Sequence, residues 1–437
     1  MPPADRCAQL QQTAIDHAQV ESAAQIDGVC RVNGVASPVA GSVIRFTVYL
    51  PAPDRWSGRY YQIGNGGFAG TIHAPTLEEG AARGDAIGAT DTGHSGTGFD
   101  ASWAATNPIA LTDYGSRSIK TTSDAARILV ASYYGKRAEH RYFMGCSNGG
   151  RMALMAAARW PEDWDGVIAG APANPWVRQM GIFEKIQHRL RSENANWLDR
   201  ADLETAASWA TASCHMPDPV GEIRFRPDKC RLDWSRLTCS GQGKDGCISA
   251  TKVASLKQIA DAGYPIAALD VDDWQRWITN EDPEANSQNL FATQYRTNLL
   301  RRRSPAMLSR ELDVKPSELA RFRKKGGKIL SYFGWSDAVI SPALGLKWYS
   351  DVTERIGGKS AIKDFYRLFM IPGMQHCQGG KGAVNFGQSL SAPSLNQNPQ
   401  FDIRASLENW VERKKAPDIL RAASADFKQQ TAIRPQF

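Results

Sequence analysis

Apolar and polar positions first alternate over Ser42–Leu50 (SVIRFTVYL), where β-branched and aromatic residues recur at alternate places and predict a strand. Arg59–Ile63 (RYYQI) predicts a second strand that runs into the glycine-rich turn Gly64-Asn65-Gly66-Gly67, and Asp85–Asp91 (DAIGATD) a third that ends near Gly93. Ser118–Tyr134 has helical spacing instead, with Ala125, Ala126, Ile128, Leu129 and Val130 among its apolar positions. Arg141–Gly145 then reads as a short strand, Gly150–Trp160 as a helix and Asp165–Gly170 as a buried strand. Strands alternating with helices predict an α/β fold with a mostly parallel sheet covered on both faces.

From Asn174 to Lys325 the pattern breaks. The chain there is rich in Trp, Arg and Asp, holds half of the cysteines and shows no regular alternation. After Gly326-Gly327 it resumes with the strand Lys328–Phe333 (KILSYF), a helix around Ala343–Val352, the strand Phe365–Ile371 (FYRLFMI) and an amphipathic helix over Ile403–Arg413. At 437 residues the chain is too long for one compact core. The economical organisation is one α/β domain made of residues 1–173 and 326–437, interrupted by a lid-like domain over 174–325. Internal repeats and low-complexity segments are absent from the sequence.

The hydrophobic share of 42% and charged share of 22% are ordinary for a globular protein and exclude wholesale disorder. No stretch approaches about 18 consecutive apolar residues, so no membrane span is expected. The net charge of +7 is small for the size. Its densest runs, Arg301-Arg302-Arg303 and Lys324-Lys325, lack interleaved aromatics and read as solvated faces, not a nucleic-acid surface. The eight cysteines include no CxxC and no pair with histidines at zinc spacing. Their even number and the close pairs Cys214/Cys230 and Cys239/Cys247 suit disulfides and an oxidising compartment; eight free thiols in a cytosolic enzyme is the competing reading. The first residues, Met1–Cys7, carry no apolar signal core, as expected for the mature form of an exported protein with an added Met1.

Gly145-Cys146-Ser147-Asn148-Gly149 matches G-x-S-x-G between an apolar strand and an apolar helix. A serine on so sharp a turn exposes its hydroxyl, and glycines flank it because side chains there would collide with neighbouring strands. The backbone N–H of Asn148, at a helix N-terminus, is placed to stabilise an oxyanion. A serine hydroxyl needs a base, and an α/β-hydrolase supplies Ser, Asp and His in that chain order. His376 is the only histidine after residue 215, and it follows FYRLFMI and a Pro372-Gly373 turn. Asp337 occupies the matching place after KILSYF. The expected triad is Ser147, Asp337 and His376. A second oxyanion donor is expected from the loop Gly64–Gly67, with Gly66 as the candidate. His94 precedes Ser147 in the chain and reads as structural.

A cysteine precedes the serine (Cys146) and another follows the histidine (Cys377), so the two would lie within bonding reach if Ser147 and His376 touch. This arrangement resembles the tannase and feruloyl esterase family, in which a disulfide joins those two positions. The likeness extends over GNGGFAG (Gly64–Gly70), ATDTGH (Ala89–His94), GCSNGGR (Gly145–Arg151), PEDWDGVIAGAPA (Pro161–Ala173), GWSD (Gly334–Asp337) and PGMQHC (Pro372–Cys377), and fades through the insertion. The resemblance implies a secreted or periplasmic α/β-hydrolase whose lid closes over the acyl group of an aromatic ester. It also implies the pairings Cys7–Cys30, Cys214–Cys230 and Cys239–Cys247. Many members carry an Asp- and Gly-rich calcium loop after the first lid cysteine. Here that stretch, Cys214–Glu222, keeps only Asp218 and Glu222, whereas Ca²⁺ takes about six to eight oxygens. No metal or other cofactor is therefore expected.

Among esters of aromatic acids, a galloyl group would ask for several polar partners and a terephthaloyl monoester for a cation at its distal carboxylate. A feruloyl group asks mainly for an apolar slot. Trp274, Trp277, Phe291 and Tyr295 in the insertion can face an aromatic acid or fill a core, and Arg296, Arg301, Arg302 and Arg303 cluster as a solvated run does. This favours hydroxycinnamoyl (feruloyl-type) esters over galloyl esters or mono(2-hydroxyethyl) terephthalate. A peptidase or acyltransferase lacks a matching feature, and a non-catalytic aromatic-ligand binding protein would require a broken triad. The partner is thus a small ester, with no nucleic acid.

Overall fold

The computed structural model describes residues 2–214, 226–240, 246–279, 291–301 and 303–436. These form two compact units: Met1–Pro172 with Thr297–Leu330, and Ala173–Arg296 with Ser331–Phe437.

In the first unit the strands are β1 (Ala18–Ile26), β2 (Val29–Ala36), β3 (Ile44–Pro51), β4 (Arg59–Ile63), β5 (Ala86–Thr90), β6 (His140–Cys146) and β7 (Gly166–Gly170). Strand order is β1-β2-β3-β5-β4-β6-β7. The β1–β2, β2–β3 and β3–β5 pairs are antiparallel, whereas β5–β4, β4–β6 and β6–β7 are parallel. Every residue of β5 and β7 is buried, as befits parallel strands covered on both faces. The helix Ser118–Tyr134 buries Ile119, Ala126, Leu129 and Tyr133, and Gly135 at φ 72° ends it in the left-handed region.

The periodicity does not anticipate the hairpin β1–β2. Its only fully buried β1 residue is Val20, so the alternation is too sparse to register. The local signal lies in the turn: Asp27 and Gly28 both take positive φ, 50° and 77°, as a two-residue hairpin loop demands. The helix after the candidate nucleophile starts at Asn148, not Gly150, because the strained turn at Ser147 leads directly into it.

The strand β8 (Lys328–Gly334) begins in the first unit and continues in the second, where β9 (Tyr366–Ile371) follows it in the strand order. Both are buried along almost their whole length. The helices Pro342–Arg355 and Ile403–Arg413 and the antiparallel hairpin β10 (Leu420–Ala423)–β11 (Gln430–Ile433) complete this part. The remaining described residues of the second unit are mainly helical: Trp176–Ser192, Arg200–Ser213 and Ala250–Asp261. Side-chain caps start the last two, with Asp199 accepting from Asp202 N–H and Ser249 from Lys252 N–H. Disulfides link Cys7–Cys30, Cys214–Cys230 and Cys239–Cys247, and no cysteine is free. No helix among the described residues is long and apolar enough to cross a membrane.

Candidate active site

Ser147 stands directly after β6 with φ 62° and ψ −124°, a conformation costly for a residue with a Cβ. Its N–H donates to Gly170 O at 2.9 Å and its carbonyl accepts from Arg151 N–H at 3.0 Å. The turn closes only without neighbouring side chains. A Cβ on Gly145 would lie 2.6 Å from the Gly149 carbonyl carbon and oxygen, and one on Gly149 would lie 3.0 Å from Gly64. The obstacle at Gly145 is therefore the helix Asn148–Arg159 and not an adjacent strand.

Asn148 opens that helix, where first-turn N–H groups have no intrahelical acceptor. Its side chain ties the Asn65 loop to its own helix. The amide nitrogen donates to Asn65 O at 3.1 Å, and its oxygen accepts from Arg151 Nε at 2.7 Å. Arg151 is fully buried, and its remaining donors reach Gly115 O, Leu312 O and Tyr114 O. Burial pushes this guanidinium down to about 10, and the Tyr114 and Asp313 charges oppose the shift.

Gly66 follows Asn65 on the exposed tip of its loop. The loop is shaped from several sides: Asn65 Nδ2 donates to Thr71 O and Thr90 O at 2.9 Å each, and Tyr114 Oη donates to Gly67 O at 2.8 Å. His94 Nε2 lies 2.7 Å from Phe68 O, so it carries the proton, and the ring stacks on Trp103 at 3.7 Å. Burial lowers the His94 pKa against the opposing carbonyl bonds. His94 thus braces the glycine-rich loop.

In the second unit Asp337 and His376 meet. Asp337 follows β8 and His376 follows β9, each within six residues of its strand's end. Gly334 permits the two loops to pack backbone on backbone, since a Cβ there would lie 2.0 Å from Met374 O. Asp337 Oδ1 accepts from Val339 N–H and Ile340 N–H at 2.8 Å each, and Oδ2 lies 2.9 Å from His376 Nδ1. Both side chains are buried. Burial works to lower the His376 pKa, but the charge and hydrogen bond of Asp337, joined by the charge of Asp273, outweigh it and raise the pKa. The pair can hold a proton on Nδ1 and leave Nε2 as the basic atom. Cys377, at φ 66°, sets its Sγ 3.6 Å from that Nε2. Cys146 and Cys377 are both disulfide-bonded.

A small, narrow cleft in this unit is lined by Phe183, Gln187, Trp277, Ile278, Phe291, Ala292 and Val339. Phe183 stacks on Phe291 at 5.6 Å, Phe291 on Trp277 at 6.4 Å, and the Trp277 ring meets His376 edge-on at 6.0 Å. Two of the four aromatic residues singled out in the sequence, Trp277 and Phe291, therefore face the cleft. The other two are core: Trp274 packs edge-on against Tyr264 and Tyr295 against Trp176. Arg296 and Arg301 are exposed and line no part of the cleft, and Arg303 donates to Ala104 O. Arg302 and the stretch His215–Glu222 lie outside the described residues. Among the described residues no group of three His, Cys, Asp or Glu could hold a metal ion.

Sequence periodicity had no means of finding Asp270, Asp273 and Gln375, which surround the Asp337–His376 pair. The only available signal was Asp270 three residues before Asp273, a helix-cap spacing.

The strand-to-helix turn at Ser147 and the Asp337–His376 pair, each set after a strand, are features of an α/β-hydrolase fold, and the chain is a carboxylic ester hydrolase. The family model for tannase and feruloyl esterase matches residues 30–277 and 274–437, and the chain belongs to that family. It is 31% identical over 444 residues to an uncharacterized esterase of Xanthomonas campestris pv. campestris, covering 90% of this chain and 77% of the relative. It is 27% identical over 430 residues to feruloyl esterase C of Talaromyces stipitatus, covering 91% and 78%. Among solved structures, feruloyl esterase B from Aspergillus oryzae superposes with a TM-score of 0.82 at 23% identity, covering 99% of this chain and 96% of that one. Tannin acyl hydrolase from Aspergillus niger gives 0.72 at 19% identity, covering 99% and 92%, a likeness of fold.

Proposed function

We propose that this esterase hydrolyses esters of aromatic acids, with feruloyl-type esters preferred, through an acyl-enzyme on Ser147. In this reading His376 Nε2 takes the Ser147 hydroxyl proton as the oxygen attacks the ester carbonyl. Asp337 holds the imidazole in the required tautomer and offsets the imidazolium charge. The N–H groups of Asn148 and Gly66 receive the oxyanion. His376 then returns the proton to the departing alcohol, and water repeats the sequence on the acyl-enzyme. Residues 174–325 serve as a lid on the domain formed by 1–173 and 326–437. Cys146 and Cys377 pair with each other. Export to an oxidising compartment accords with the disulfides, and the reaction needs no metal.

The observation that carries the substrate class is the aromatic cleft beside His376. Its walls are apolar except for Gln187, whose amide donates to Ile278 O and accepts from Arg191 Nε. Such walls suit a ring with few polar substituents. The test is kcat/KM for methyl ferulate, methyl gallate and mono(2-hydroxyethyl) terephthalate, alongside Ser147→Ala. Ferulate should lead, and the variant should fold while losing several orders of magnitude of rate, about 10⁶-fold. Preference for gallate or the terephthalate monoester replaces the feruloyl assignment. A folded Ser147→Ala protein with wild-type turnover overturns the serine mechanism, and a wild-type protein that hydrolyses none of the three esters reopens a purely binding role.

A further inference from the structure

Asp270 and Asp273 are both almost fully buried, 5% and 1% exposed, in the same unit as Asp337. Burying carboxylates near a third is costly unless each makes specific bonds. These do. Asp270 caps the short helical turn Val271–Trp274, its Oδ1 accepting from Asp273 N–H at 3.1 Å. The same oxygen accepts from Gln375 Nε2 at 3.1 Å, on the residue before His376. One turn along, Asp273 Oδ2 accepts from Ala338 N–H at 3.1 Å, on the residue after Asp337. Trp277, a further turn on, presents its ring edge-on to His376. Positions 270, 273 and 277 fall on one face of a helical segment. That face therefore touches the residue before the histidine, the histidine ring, and the residue after the aspartate.

We propose that Asp273 is a positioning residue for the Asp337–His376 pair, fixing the Asp337 loop through Ala338 N–H while Asp270 fixes the His376 loop through Gln375. The inference rests on the reading of Asp337 and His376 as the catalytic acid and base. The groups facing the Asp273 carboxylate are Asp337, His376 and Asp270. Burial and then the Asp337 charge push Asp273 up to about 6, opposed by Ala338 N–H and His376. An ionised Asp273 is in turn a second negative neighbour of His376 and helps to keep its pKa high.

The two contributions separate by substitution in the full-length protein. Asp273→Asn keeps an oxygen for Ala338 N–H but removes the charge, whereas Asp273→Ala removes both. Asp273→Ala should lower kcat by about 100-fold with KM little changed, since misplacement of a catalytic pair costs rate and not binding. Asp273→Asn should recover most of kcat, and the acid limb of its kcat/KM profile should move to lower pH because His376 loses a negative neighbour. A folded Asp273→Ala protein with wild-type kcat and an unmoved limb overturns the proposal. So does an Asp273→Asn protein that recovers nothing and leaves the limb in place. If Asp273→Ala does not fold, Asp273→Asn decides alone by its acid limb. His376→Ala tests the underlying reading separately: retention of wild-type rate there removes the catalytic pair itself, whatever Asp273 does.

Discussion

Nδ1 of His376 lies 2.9 Å from Oδ2 of Asp337, whose other oxygen already accepts two backbone N–H groups. The aspartate is thus held before it holds the histidine. In Asp337→Asn the oxygen can stay on Val339 and Ile340, which leaves an amide N–H facing Nδ1 and forces the proton onto Nε2. That is the wrong tautomer for a base, and kcat should fall by about 10⁴-fold, the size of the loss known for such a change in a serine protease. The wild-type pKa of His376 is raised, and in its proposed role as base it works only when neutral. Activity should therefore fall on the acid side with a midpoint above the ordinary histidine value of 6.5. A kcat/KM profile flat through that region would contradict the assignment.

The proposed Cys146–Cys377 pairing has its own consequence. Closing so long a stretch of chain stabilises by about 5–6 kcal/mol in the chain-entropy account. It would also fix Ser147 relative to His376, so mild reduction should abolish ester turnover before far-UV dichroism changes. Peptide mapping of the oxidised protein should recover the two cysteines as one linked peptide. Finding either one joined elsewhere refutes the pairing.

Asp91 offers a prediction about stability. Its Oδ1 accepts from Arg45 N–H at 2.9 Å and Gly93 N–H at 2.8 Å. Burial nevertheless pushes its pKa from 3.8 to about 6, with Asp113 adding to the rise. An acid whose folded pKa is raised costs nothing below its unfolded value and loses stability as pH climbs through the window from 3.8 to about 6. Asp91→Asn keeps an oxygen for both N–H groups and removes the charge. At pH about 8 it should raise stability by roughly 1–3 kcal/mol, and the gain should vanish near pH 4. Thermal melts at the two pH values decide, and an equal shift at both removes the explanation.

Chelation should leave the protein unchanged. With only Asp218 and Glu222 left in the stretch after Cys214, EDTA is expected to alter neither activity nor melting temperature. A melting temperature that drops on chelation and recovers with Ca²⁺ would establish a calcium site.

Exposed Arg296 and Arg301 should contribute little to acyl selection. Replacing both by alanine should leave the ratio of kcat/KM values for ferulate and terephthalate monoester unchanged. A collapse of terephthalate turnover alone would place a carboxylate-binding cation in the acyl site.

Much of this protein was determined by local sequence. Gly145–Gly149 dictates a strained turn because its backbone leaves no room for side chains, and the strands β5, β7, β8 and β9 announce themselves as short apolar runs because both their faces are buried. Asp337 and His376 were legible by chain order and by the strands before them. Other features belong to the tertiary structure alone. Whether Trp277 faces a cleft while Trp274 fills a core depends on the neighbours each meets, and the two tryptophans are only three residues apart on the same segment. Asp273 reads as an ordinary acidic residue beside Asp272 until its fold sets it beneath Ala338, and Arg151 reads as a surface cation until carbonyls from Tyr114, Gly115 and Leu312 enclose it. Periodicity reports which face of an element is buried. What it is buried against is decided by residues far away in the chain, because hydrogen bonds and packing act through distance in space and not along the sequence.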